Sequence, residues 1–482
     1  MQDKSSELPK GWAWTKIDEI ISPAKNAIKR GPFGSAIKKA FFVEKGFKVY
    51  EQGNAIYNDF RRGNYYISKE KLEELAGFEV KPGEFIISCS GTIGKIAIVP
   101  DNAERGIINQ ALLKIATDPR LISPKYFLNL FRSEGFQKKI LGGTRGVAIT
   151  NINSVKDLKT IAFALPPLPE QQRIVAKIEE LFTKLDAGVE ALKKVKTQLK
   201  RYRQAVLKYA FEGKLTQEWR EANKDKLEPA SALLKRIREE RKKKVEGELK
   251  ELPPVDIADL PELPEEWTWC RFGDVIVNIS LIGKKLKQSE YQEKGRLPVI
   301  DQGQSFIGGY TDKDKLKIKV EKPLIIFGDH TKVFKYVDVD FVAGADGIKV
   351  LKPEEFYNPK LFYYFAQEIS LPEKGYARHF QWLEKSLIPL PPIYEQLKIK
   401  DEIERRLSTS KEMEKVVEKT LKQSERLRQS ILKTAFEGKL VPQDPTDEPA
   451  ERLLERIKNE KMNQAKVTQK RFNRRKRYEQ KT

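Results

Sequence analysis

Apolar and ring-bearing residues recur at helical spacing between residues 169 and 212. They follow one another in steps of four and three, with one position skipped at Gly188: Ile174, Ile178, Leu181, Leu185, Leu192, Val195, Leu199, Tyr202, Val206 and Tyr209. Such a repeat is typical of a helix whose apolar seam packs on another helix. Pro169 suits the first turn, and Gly213 suits a left-handed stop. The pattern predicts one helix over residues 169–212, roughly 65 Å long at about 1.5 Å per residue.

A second helix of the same kind follows later in the chain. Its apolar seam is carried by Ile399, Ile403, Met413, Val417, Leu427 and Ile431. Four polar residues occupy seam positions between them: Arg406, Ser410, Thr420 and Ser424. We therefore expect the two helices to pair more tightly at their ends than in the middle. A homodimeric coiled coil is the alternative, but two copies in one chain favour a pair within the chain.

The two helices belong to a tandem duplication. The hexapeptide AFEGKL occurs at residues 210–215 and again at 435–440. At the same offset, PPLPEQQRIVAKIEELF at 166–182 matches PPIYEQLKIKDEIERRL at 391–407. The openings also correspond, with ELPKGWAW early in the chain and ELPEEWTW before the second globular segment. The repeat unit therefore runs from an opening through a globular segment and a long helix to a glycine turn and a short helix.

The globular segments between the helices contain short apolar runs bounded by Gly and Asp. GEFIISCSGTIGKIAIV and KPLIIFGDHTKVFKYVDVDFVAGADGIKVL are typical of strands joined by turns, which predicts an α+β fold. Because these segments resemble each other only weakly, the duplication suggests a common frame that holds two different binding domains. The predicted bounds are a first domain at 1–165, a helical region at 166–250 with its short helix near 228–247, a linker at 251–265, a second domain at 266–390, a helical region at 391–465 and a basic tail at 466–482.

The net charge points to a polyanionic partner. The chain has 91 Lys and Arg against 69 Asp and Glu, a formal net charge of +22. Nucleic acid is the first hypothesis, and a generically basic protein is the alternative. Cys89 and Cys270 form no CxxC spacing, and no apolar stretch suits a signal or a membrane span. These features predict a cytoplasmic protein that does not enter a membrane.

Catalytic motifs are missing from the sequence. SGTIGKIA lacks the first glycine and the Ser or Thr of a phosphate-binding loop, and LPPLPE lacks the Asn of an adenine methyltransferase motif. His330 and His379 have no metal-ligand spacing, and Asp329 with Lys332 lacks the second carboxylate of a nuclease. We predict no catalytic residue, no metal site and no cofactor in this chain.

Two divergent globular segments, each followed by a PPLPEQ-like entry into a long helix that closes in AFEGKL, resemble the specificity subunit of type I restriction-modification systems. The resemblance covers nearly the whole chain. It implies two target-recognition domains, each reading half of a bipartite, asymmetric site on double-stranded DNA. It also implies that two long antiparallel coiled-coil helices separate these domains, in a tandem-duplicated arrangement with pseudo-twofold symmetry.

The resemblance also implies partner subunits that carry the chemistry. Two modification subunits would bring S-adenosylmethionine and methylate adenine, and restriction subunits would bring ATP, Mg²⁺, translocation and cleavage. This chain would then be a non-catalytic subunit. A self-contained DNA-modifying enzyme with an unfamiliar active site and a basic coiled-coil scaffold are the alternatives.

Candidate DNA contacts follow from side-chain chemistry, because recognition domains are the variable part of the family. Cationic, amide and hydroxyl side chains on glycine-rich loops can reach base edges and phosphates, and aromatic rings can stack. In the first domain the candidates are Lys38, Lys39, Gln52, Asn54, Arg61, Arg62, Tyr65, Tyr66, Thr144 and Arg145. In the second domain they are Lys284, Lys285, Gln302, Gln304, His330, Thr331, Lys332, Arg378 and His379.

Overall fold

A computed structural model describes residues 7–141, 152, 154–244, 260–344, 347–373, 375 and 377–463. The candidates Thr144 and Arg145 and the basic tail lie outside the described residues. The chain divides into two compact units, Met1–Ala191 with Thr420–Thr482, and Leu192–Lys419. Each unit therefore contains one globular domain and one half of each long helix.

The first globular domain consists of short strands and helices. Its elements are β1 Ala13–Lys16, α1 Ile17–Ile20, β2 Ile28–Arg30, β3 Phe42–Val43, β4 Phe47–Tyr50, α2 Gln52–Tyr57, β5 Tyr66–Ile67, α3 Lys69–Glu74, β6 Glu79–Val80, β7 Phe85–Ser88, β8 Ile96–Ile98, β9 Gly106–Ile108, β10 Leu112–Ile115, α4 Pro124–Arg132, α5 Glu134–Ile140, α6 Val155–Thr160 and β11 Ala162–Leu165. An antiparallel sheet has the order β2-β10-β7-β8, and a mixed sheet has the order β3-β5-β4-β9-β6. The parallel pair β4 and β9 lies inside the mixed sheet. β1 pairs with β11 and brings the two ends of the domain together.

Three helices follow the first domain: α7 Leu168–Phe211, α8 Gln217–Ala222 and α9 Ala230–Lys244. The second domain then consists of β12 Thr268–Arg271, β13 Ile276–Ile279, β14 Lys285–Leu286, β15 Leu297–Ile300, β16 Gly309–Thr311, β17 Lys317–Ile318, β18 Leu324–Gly328, β19 Phe334–Val337, β20 Phe341–Gly344, β21 Ile348–Pro353, α10 Pro359–Ala366, α11 Phe380–Leu383 and β22 Leu387–Leu390. The long helix α12 Ile393–Phe436 comes next, and residues 450–463 form a further helix.

The second domain repeats most of the topology of the first, but β3 pairs with β5 whereas β14 pairs with β20. Its antiparallel sheet has the order β13-β21-β18-β19, which corresponds to β2-β10-β7-β8. Its mixed sheet has the order β14-β20-β15-β16 with β17 also on β20, and β15 and β20 are parallel as β4 and β9 are. β12 pairs with β22 as β1 pairs with β11. The duplication therefore extends through the globular domains, although their sequences diverged.

The apolar runs found in the sequence become central strands that are buried on both faces. In β7, Phe85 and Ile87 belong to the core that includes α4 and α7, whereas Ile86 faces a second apolar cluster. Successive side chains of a strand point to opposite faces, so a strand between two layers needs an uninterrupted apolar sequence. β18 has the same pattern, with Phe327 in one cluster and Ile326 in the other.

The long helices pair antiparallel in each unit. In the first unit Arg428 forms an ion pair with Asp186 and lies 4.3 Å from the centre of the Phe182 ring. In the second unit Lys196 Nζ lies 2.8 Å from Glu418 Oε1, and Arg203 Nη1 lies 3.0 Å from Glu414 Oε2. α7 begins and ends one residue earlier than the predicted range of 169–212.

Most of the buried seam residues lie toward the ends of the helices, whereas Val417 is buried near the middle of α12. The buried members of the predicted seam are Ile174, Ile178, Val206, Ile399, Ile403 and Val417. The half-buried members are Leu181, Leu185, Leu192, Leu199 and Ile431. Polar Ser410 is also buried on the seam, with an exposure of 1 %.

Five predicted seam residues are exposed instead of buried. They are Val195 at 38 %, Tyr202 at 42 %, Tyr209 at 53 %, Met413 at 53 % and Leu427 at 51 %. A straight helix has 3.6 residues per turn instead of the 3.5 of a strict heptad, so the inward face drifts along the sequence. On α12 this drift turns Glu414 and Arg428 toward α7, and the residue before each of them faces solvent.

Candidate nucleic-acid interface

The glycine turn of each copy holds the opening of the other copy. Gly213 and Gly438 have φ values of 73° and 70°, in the left-handed region where glycine is favoured. A Cβ at Gly213 would collide with Pro264, and a Cβ at Gly438 would collide with Pro9. Each turn therefore requires glycine for two reasons, the left-handed backbone conformation and the close approach of a proline ring.

A buried tryptophan and glutamate complete each of these joints. Trp12 Nε1 donates to Glu170 Oε1 over 3.1 Å, and Trp267 Nε1 donates to Glu395 Oε2 over 2.7 Å. Both glutamates lie in the first turn of a long helix, where the helix dipole favours an anion. We call the two arrangements the first joint, around Glu170, and the second joint, around Glu395.

The glutamine after each glutamate fixes the globular domain to its helix. Gln171 Oε1 accepts from the Ser123 backbone N–H over 2.8 Å, and its Nε2 donates to two main-chain carbonyls. Gln396 Oε1 accepts from the Asn358 backbone N–H over 2.7 Å, and its Nε2 also donates to two carbonyls. Ser123 and Asn358 each precede a proline-initiated helix, α4 and α10. The PEQ and YEQ sequences therefore set the angle at which each domain leaves the helical frame.

The two joints differ in their charged partners. Arg220 Nη1 lies 2.7 Å from Glu395 Oε1, and Thr216 Oγ1 donates to the same oxygen over 2.7 Å. At the first joint Gln443 Nε2 donates to Glu170 Oε1 over 3.3 Å, and Glu170 Oε2 is buried without a hydrogen-bond partner among the described residues. Burial raises the pKa of Glu170, although its hydrogen bonds from Gln443 and Trp12 oppose the shift.

Several loops meet at one edge of each antiparallel sheet. Because β2 and β7 are both antiparallel to β10, both strands end at the same edge. The strands β13 and β18 end together for the same reason, since both are antiparallel to β21. We call these the loop edges. The first consists of residues 31–36, 51–54, 89–95 and 109–111, and the second consists of residues 280–284, 301–305, 329–333 and 347.

The first loop edge gathers many of the predicted contacts. The Gln52 amide lies near Gly91, and the Arg62 guanidinium lies 4.6 Å from the centre of the exposed Tyr57 ring. Lys38 and Lys39 are exposed just beyond residues 31–36. Arg61 and Tyr65 are exposed on the loop that follows α2, and Tyr66 is half-buried. This edge therefore combines an amide, several cations and exposed rings.

The second loop edge brings four predicted residues into direct contact or sequence proximity. Gln302 Oε1 accepts from the His330 backbone N–H over 3.2 Å, and Thr331 Oγ1 donates to the Gln302 carbonyl over 2.7 Å. Lys332 forms an ion pair with Glu373 over 2.8 Å, and its ammonium lowers the pKa of that carboxyl. The other predicted residues that are exposed in this domain are Lys284, Lys285, Gln304 and Arg378.

Two predicted contacts are buried and hold the loops instead. Asn54 is 1 % exposed; its Oδ1 accepts from Glu51 N, and its Nδ2 donates to the carbonyls of Asp59 and Arg62. His379 is fully buried, and its Nδ1 lies 3.0 Å from the Asp329 carbonyl. Neither side chain reaches the surface, because both are enclosed by the loops that they hold.

A buried lysine in each domain holds the backbone of a loop that carries exposed candidate residues. Lys48 Nζ donates to the Arg61 carbonyl over 3.1 Å and lies 3.1 Å from Glu104 Oε1. Lys335 Nζ donates to the Ser305 carbonyl over 2.6 Å, and burial lowers the pKa of this lysine despite the nearby Asp301 carboxylate. These lysines fix the loop backbone, so the exposed side chains above them are held in place.

Three exposed aromatic or apolar residues in or beside the loop edges were not among the predicted contacts. Tyr57 is 64 % exposed, Phe33 is 61 % exposed and Ile282 is 92 % exposed. Side-chain chemistry favoured polar groups and did not select these residues. An apolar residue directly before a loop glycine, as in Phe33-Gly34 and Ile282-Gly283, is a signal that could have found two of them.

The described part of the chain contains no cluster of three or more His, Cys, Asp and Glu residues that could hold a metal ion. Cys89 is buried, and burial raises its pKa to about 12, so it remains a thiol. Within the same described ranges, no helix combines the length and the apolar character needed to span a membrane.

Two corresponding sheet edges, each carrying cationic, amide and apolar side chains, are features of a tandem nucleic-acid-recognition protein. Residues 9–201 and 264–423 match the family model described as the type I restriction modification DNA specificity domain. Because these residues make up more than half of the chain, the chain belongs to this family. The resemblance to specificity subunits is confirmed, and so is the prediction of a DNA sequence-recognition subunit.

Curated relatives cover most of the chain. The type I restriction enzyme EcoDI specificity subunit of Escherichia coli is 28% identical over 372 residues, covering 71% of this chain and 78% of the relative. The EcoKI specificity subunit of Escherichia coli strain K12 is 24% identical and covers 95% of this chain and 97% of the relative.

Solved structures share the fold. A chain from a study of complex assembly and conformational transition of the type I R-M system superposes with a TM-score of 0.64 at 18% identity, covering 90% of this chain and 100% of that chain. The HsdS subunit from Thermoanaerobacter tengcongensis gives a TM-score of 0.52 at 17% identity, covering 91% of this chain and 100% of that chain. The predicted α+β fold with two repeated domains and two long helices is confirmed.

Proposed function

We propose that each loop edge reads one half of a bipartite, asymmetric site on double-stranded DNA. One observation carries this proposal: the same sheet edge in both domains presents exposed cationic and apolar side chains beside a glutamine, on joints that share their tryptophan–glutamate and glutamine–backbone hydrogen bonds. Gln52 and Gln302 occupy the same place, each within an acid-Gln-Gly sequence after the central parallel strand. The other exposed side chains differ, which suits two different half-sites.

The recognition domains of this proposal are residues 1–165 and 266–390, and the helical regions 166–250 and 391–465 form the frame. The linker at 251–265 and the tail at 466–482 complete the division. The net charge of +22 supports a polyanionic ligand, because cations that neutralise phosphates supply most of the sequence-independent affinity for DNA. Side chains at the loop edges then supply the discrimination between bases.

In this proposal, other subunits carry the catalytic activities of the system. Two modification subunits bring S-adenosylmethionine for adenine methylation, and restriction subunits bring ATP and Mg²⁺ for translocation and cleavage, all in the cytoplasm. The similarity to specificity subunits and the absence of catalytic motifs from the sequence support a non-catalytic role. Labelled S-adenosylmethionine tests it: the purified chain alone should transfer no methyl group to DNA, and methylation should begin when a modification subunit is added. Methyl transfer by the chain alone would contradict the proposal.

Domain exchange tests the assignment of half-sites. Replacing residues 12–165 by the corresponding domain of a relative should change one half of the methylated site and leave the other half intact, because the joint residues of the second unit are untouched. Methylation mapping of cellular DNA measures this result. A change in both halves would show that recognition is not modular.

Paired alanine substitutions test the first loop edge. Arg61→Ala with Arg62→Ala should weaken binding and reduce the slope of log affinity against log salt by about 0.9 for each phosphate that is no longer neutralised. If either arginine reads a guanine, discrimination at that base falls by about 1 to 3 kcal/mol. The control removes the same charge from the frame through Arg236→Ala with Arg456→Ala. Equal salt slopes for the two double variants would place Arg61 and Arg62 outside the interface.

A further inference from the structure

Each recognition domain carries an exposed apolar side chain on the loop that follows the first strand of its antiparallel sheet. After β2 this residue is Phe33, and after β13 it is Ile282. A glycine in the left-handed region follows each of them, Gly34 with φ of 64° and Gly283 with φ of 68°. The two domains thus share this device although the loop sequences, GPFGSA and SLIGKK, are different.

These two side chains contribute little to the stability of their domains. Phe33 is 61 % exposed and Ile282 is 92 % exposed, so neither buries enough surface to stabilise its domain. The space around a Cβ at Gly34 or Gly283 is empty to 4 Å, as expected at the tip of a projecting loop. A single exposed apolar residue needs no explanation. An apolar residue directly before a left-handed glycine, at corresponding loops of both domains, does need an explanation.

The surroundings of both residues suit a polyanion. Lys38 and Lys39 are exposed beyond Phe33, and Lys284 and Lys285 directly follow Gly283 and are exposed. The loop of Ile282 is closed by a hydrogen bond from Lys284 N to the Leu281 carbonyl over 3.1 Å. The apolar tip and the cations are therefore presented together.

Both residues also lie on the loop edges defined above. Arg30 at the end of β2 pairs with Leu113, and Ser88 at the end of β7 pairs with Leu112 beside it. Ile279 at the end of β13 pairs with Val350, close to the pairing of Gly328 with Ile348. The apolar tips thus flank the same surface as Gln52 in one domain and Gln302 in the other.

We propose that Phe33 and Ile282 are wedges, each of which inserts between adjacent base pairs of the half-site that its domain reads. This inference rests on the proposed function of the loop edges. Apolar wedges unstack a base step and kink the duplex, while neighbouring cations hold the phosphates. Pyrimidine–purine steps unstack most easily, so the wedges add discrimination at steps that no polar group contacts. The Arg30 guanidinium lies 5.2 Å from the centre of the Phe33 ring and supports that ring from one side.

The test measures DNA bending across each half-site. The full chain is mixed with duplex DNA that carries the site found by methylation mapping, with a donor and an acceptor dye placed across one half-site at a time. Phe33→Ser should abolish the bend at one half-site only, and Ile282→Ser should abolish it at the other only. Each variant should bind about tenfold more weakly with an unchanged salt slope, because every cation that neutralises a phosphate is still present. Phe33→Leu and Ile282→Leu should retain the bends.

Val339→Ser is the matched control, since Val339 is 47 % exposed and lies beyond the end of β19 that is opposite the second loop edge. It should bind and bend DNA as the unchanged chain does. If both serine variants bend both half-sites like the unchanged chain, the wedges are ruled out while the proposed function stands. If the unchanged chain shows no preference for the mapped site, the proposed function fails, and the wedges fail with it.

Discussion

The first and second joints share the main hydrogen bonds of their frame but differ in how a buried carboxylate is compensated. Each has a tryptophan that donates to the glutamate and a glutamine that fixes the domain. Among the described residues, only the second joint places an arginine, Arg220, against the glutamate at 2.7 Å. The two copies therefore share the hydrogen-bond geometry of their joints more closely than the charge that faces each buried glutamate.

The free-energy cost of burying the glutamate carboxylate therefore differs between the two joints. A buried ion pair gains little over an apolar pair, but losing one partner leaves an unpaired buried charge. The first joint already has a carboxylate that no cation of the described ranges reaches by a hydrogen bond, and its raised pKa reflects that burial. Matched substitutions at the two joints should therefore give unequal results at the glutamates and equal results at the glutamines.

The largest effect is expected at the second joint. Glu395→Gln should lower the free energy of unfolding of the second unit by about 3 kcal/mol, because it leaves the Arg220 charge buried. The value lies at the lower end of the usual range since Glu266 remains 3.8 Å from Arg220. Hydrogen exchange of the paired strands β12 and β22 in denaturant reports this unit. An equal destabilisation of the first unit by Glu170→Gln would contradict the inferred difference in charge compensation between the two joints.

An intermediate and equal effect is expected at the two glutamines. Gln171→Leu and Gln396→Leu each leave one backbone N–H and two carbonyls without partners, at a net cost of about 1 to 3 kcal/mol because burial of the leucine side chain offsets part of the penalty. Hydrogen exchange of the strand pair β1 and β11 measures the destabilisation of the first unit, and that of β12 and β22 measures the destabilisation of the second. A destabilisation confined to one unit would mean that the joints differ in their frame as well as in their charge.

The smallest effect is the pH dependence of the first joint. Since the folded state raises the pKa of Glu170, it binds the proton more tightly than the unfolded chain does. The stability from this group is fully present below the unfolded pKa of about 4.3 and is lost as pH rises through the folded pKa. Glu170→Gln should therefore gain stability relative to the unchanged chain as the pH rises above the unfolded pKa of about 4.3.

Denaturation of the first unit at several pH values measures this gain, with Glu179→Gln as a control because Glu179 is exposed on the same helix. A Glu170→Gln variant that loses stability relative to the unchanged chain as the pH rises would contradict the assignment of Glu170 as an uncompensated buried acid.

The helical frame could be predicted closely because its signals are local. The seam, the proline entry and the glycine stop placed α7 to within a residue at each end, since capping and periodicity act over a few residues. The exposure of Met413 and Leu427 could not be predicted, because the drift of the seam depends on which helix face the partner covers. The contact between Glu170 and Trp12 could not be predicted, because it links residues that are distant along the chain.

The candidate interface was predicted less completely. Residue chemistry found Gln302, Thr331 and Arg62, which the fold brings to the loop edges. It could not separate them from Asn54 and His379, because an amide or imidazole has the same sequence signature whether it holds a loop or faces solvent. Burial of these two groups is decided by tertiary packing around the loops.

The exchange of glycine turns between copies has an evolutionary consequence. Gly213 of the first copy receives Pro264 of the second, and Gly438 of the second receives Pro9 of the first. A polypeptide with one opening, one domain, one long helix and one glycine turn would therefore carry both complementary surfaces and could close two such joints with a second copy of itself. An ancestral homodimer of this kind could have recognised only a symmetric sequence. Fusion of two such genes keeps both joints and lets the two domains mutate independently, which opens asymmetric sequences to recognition.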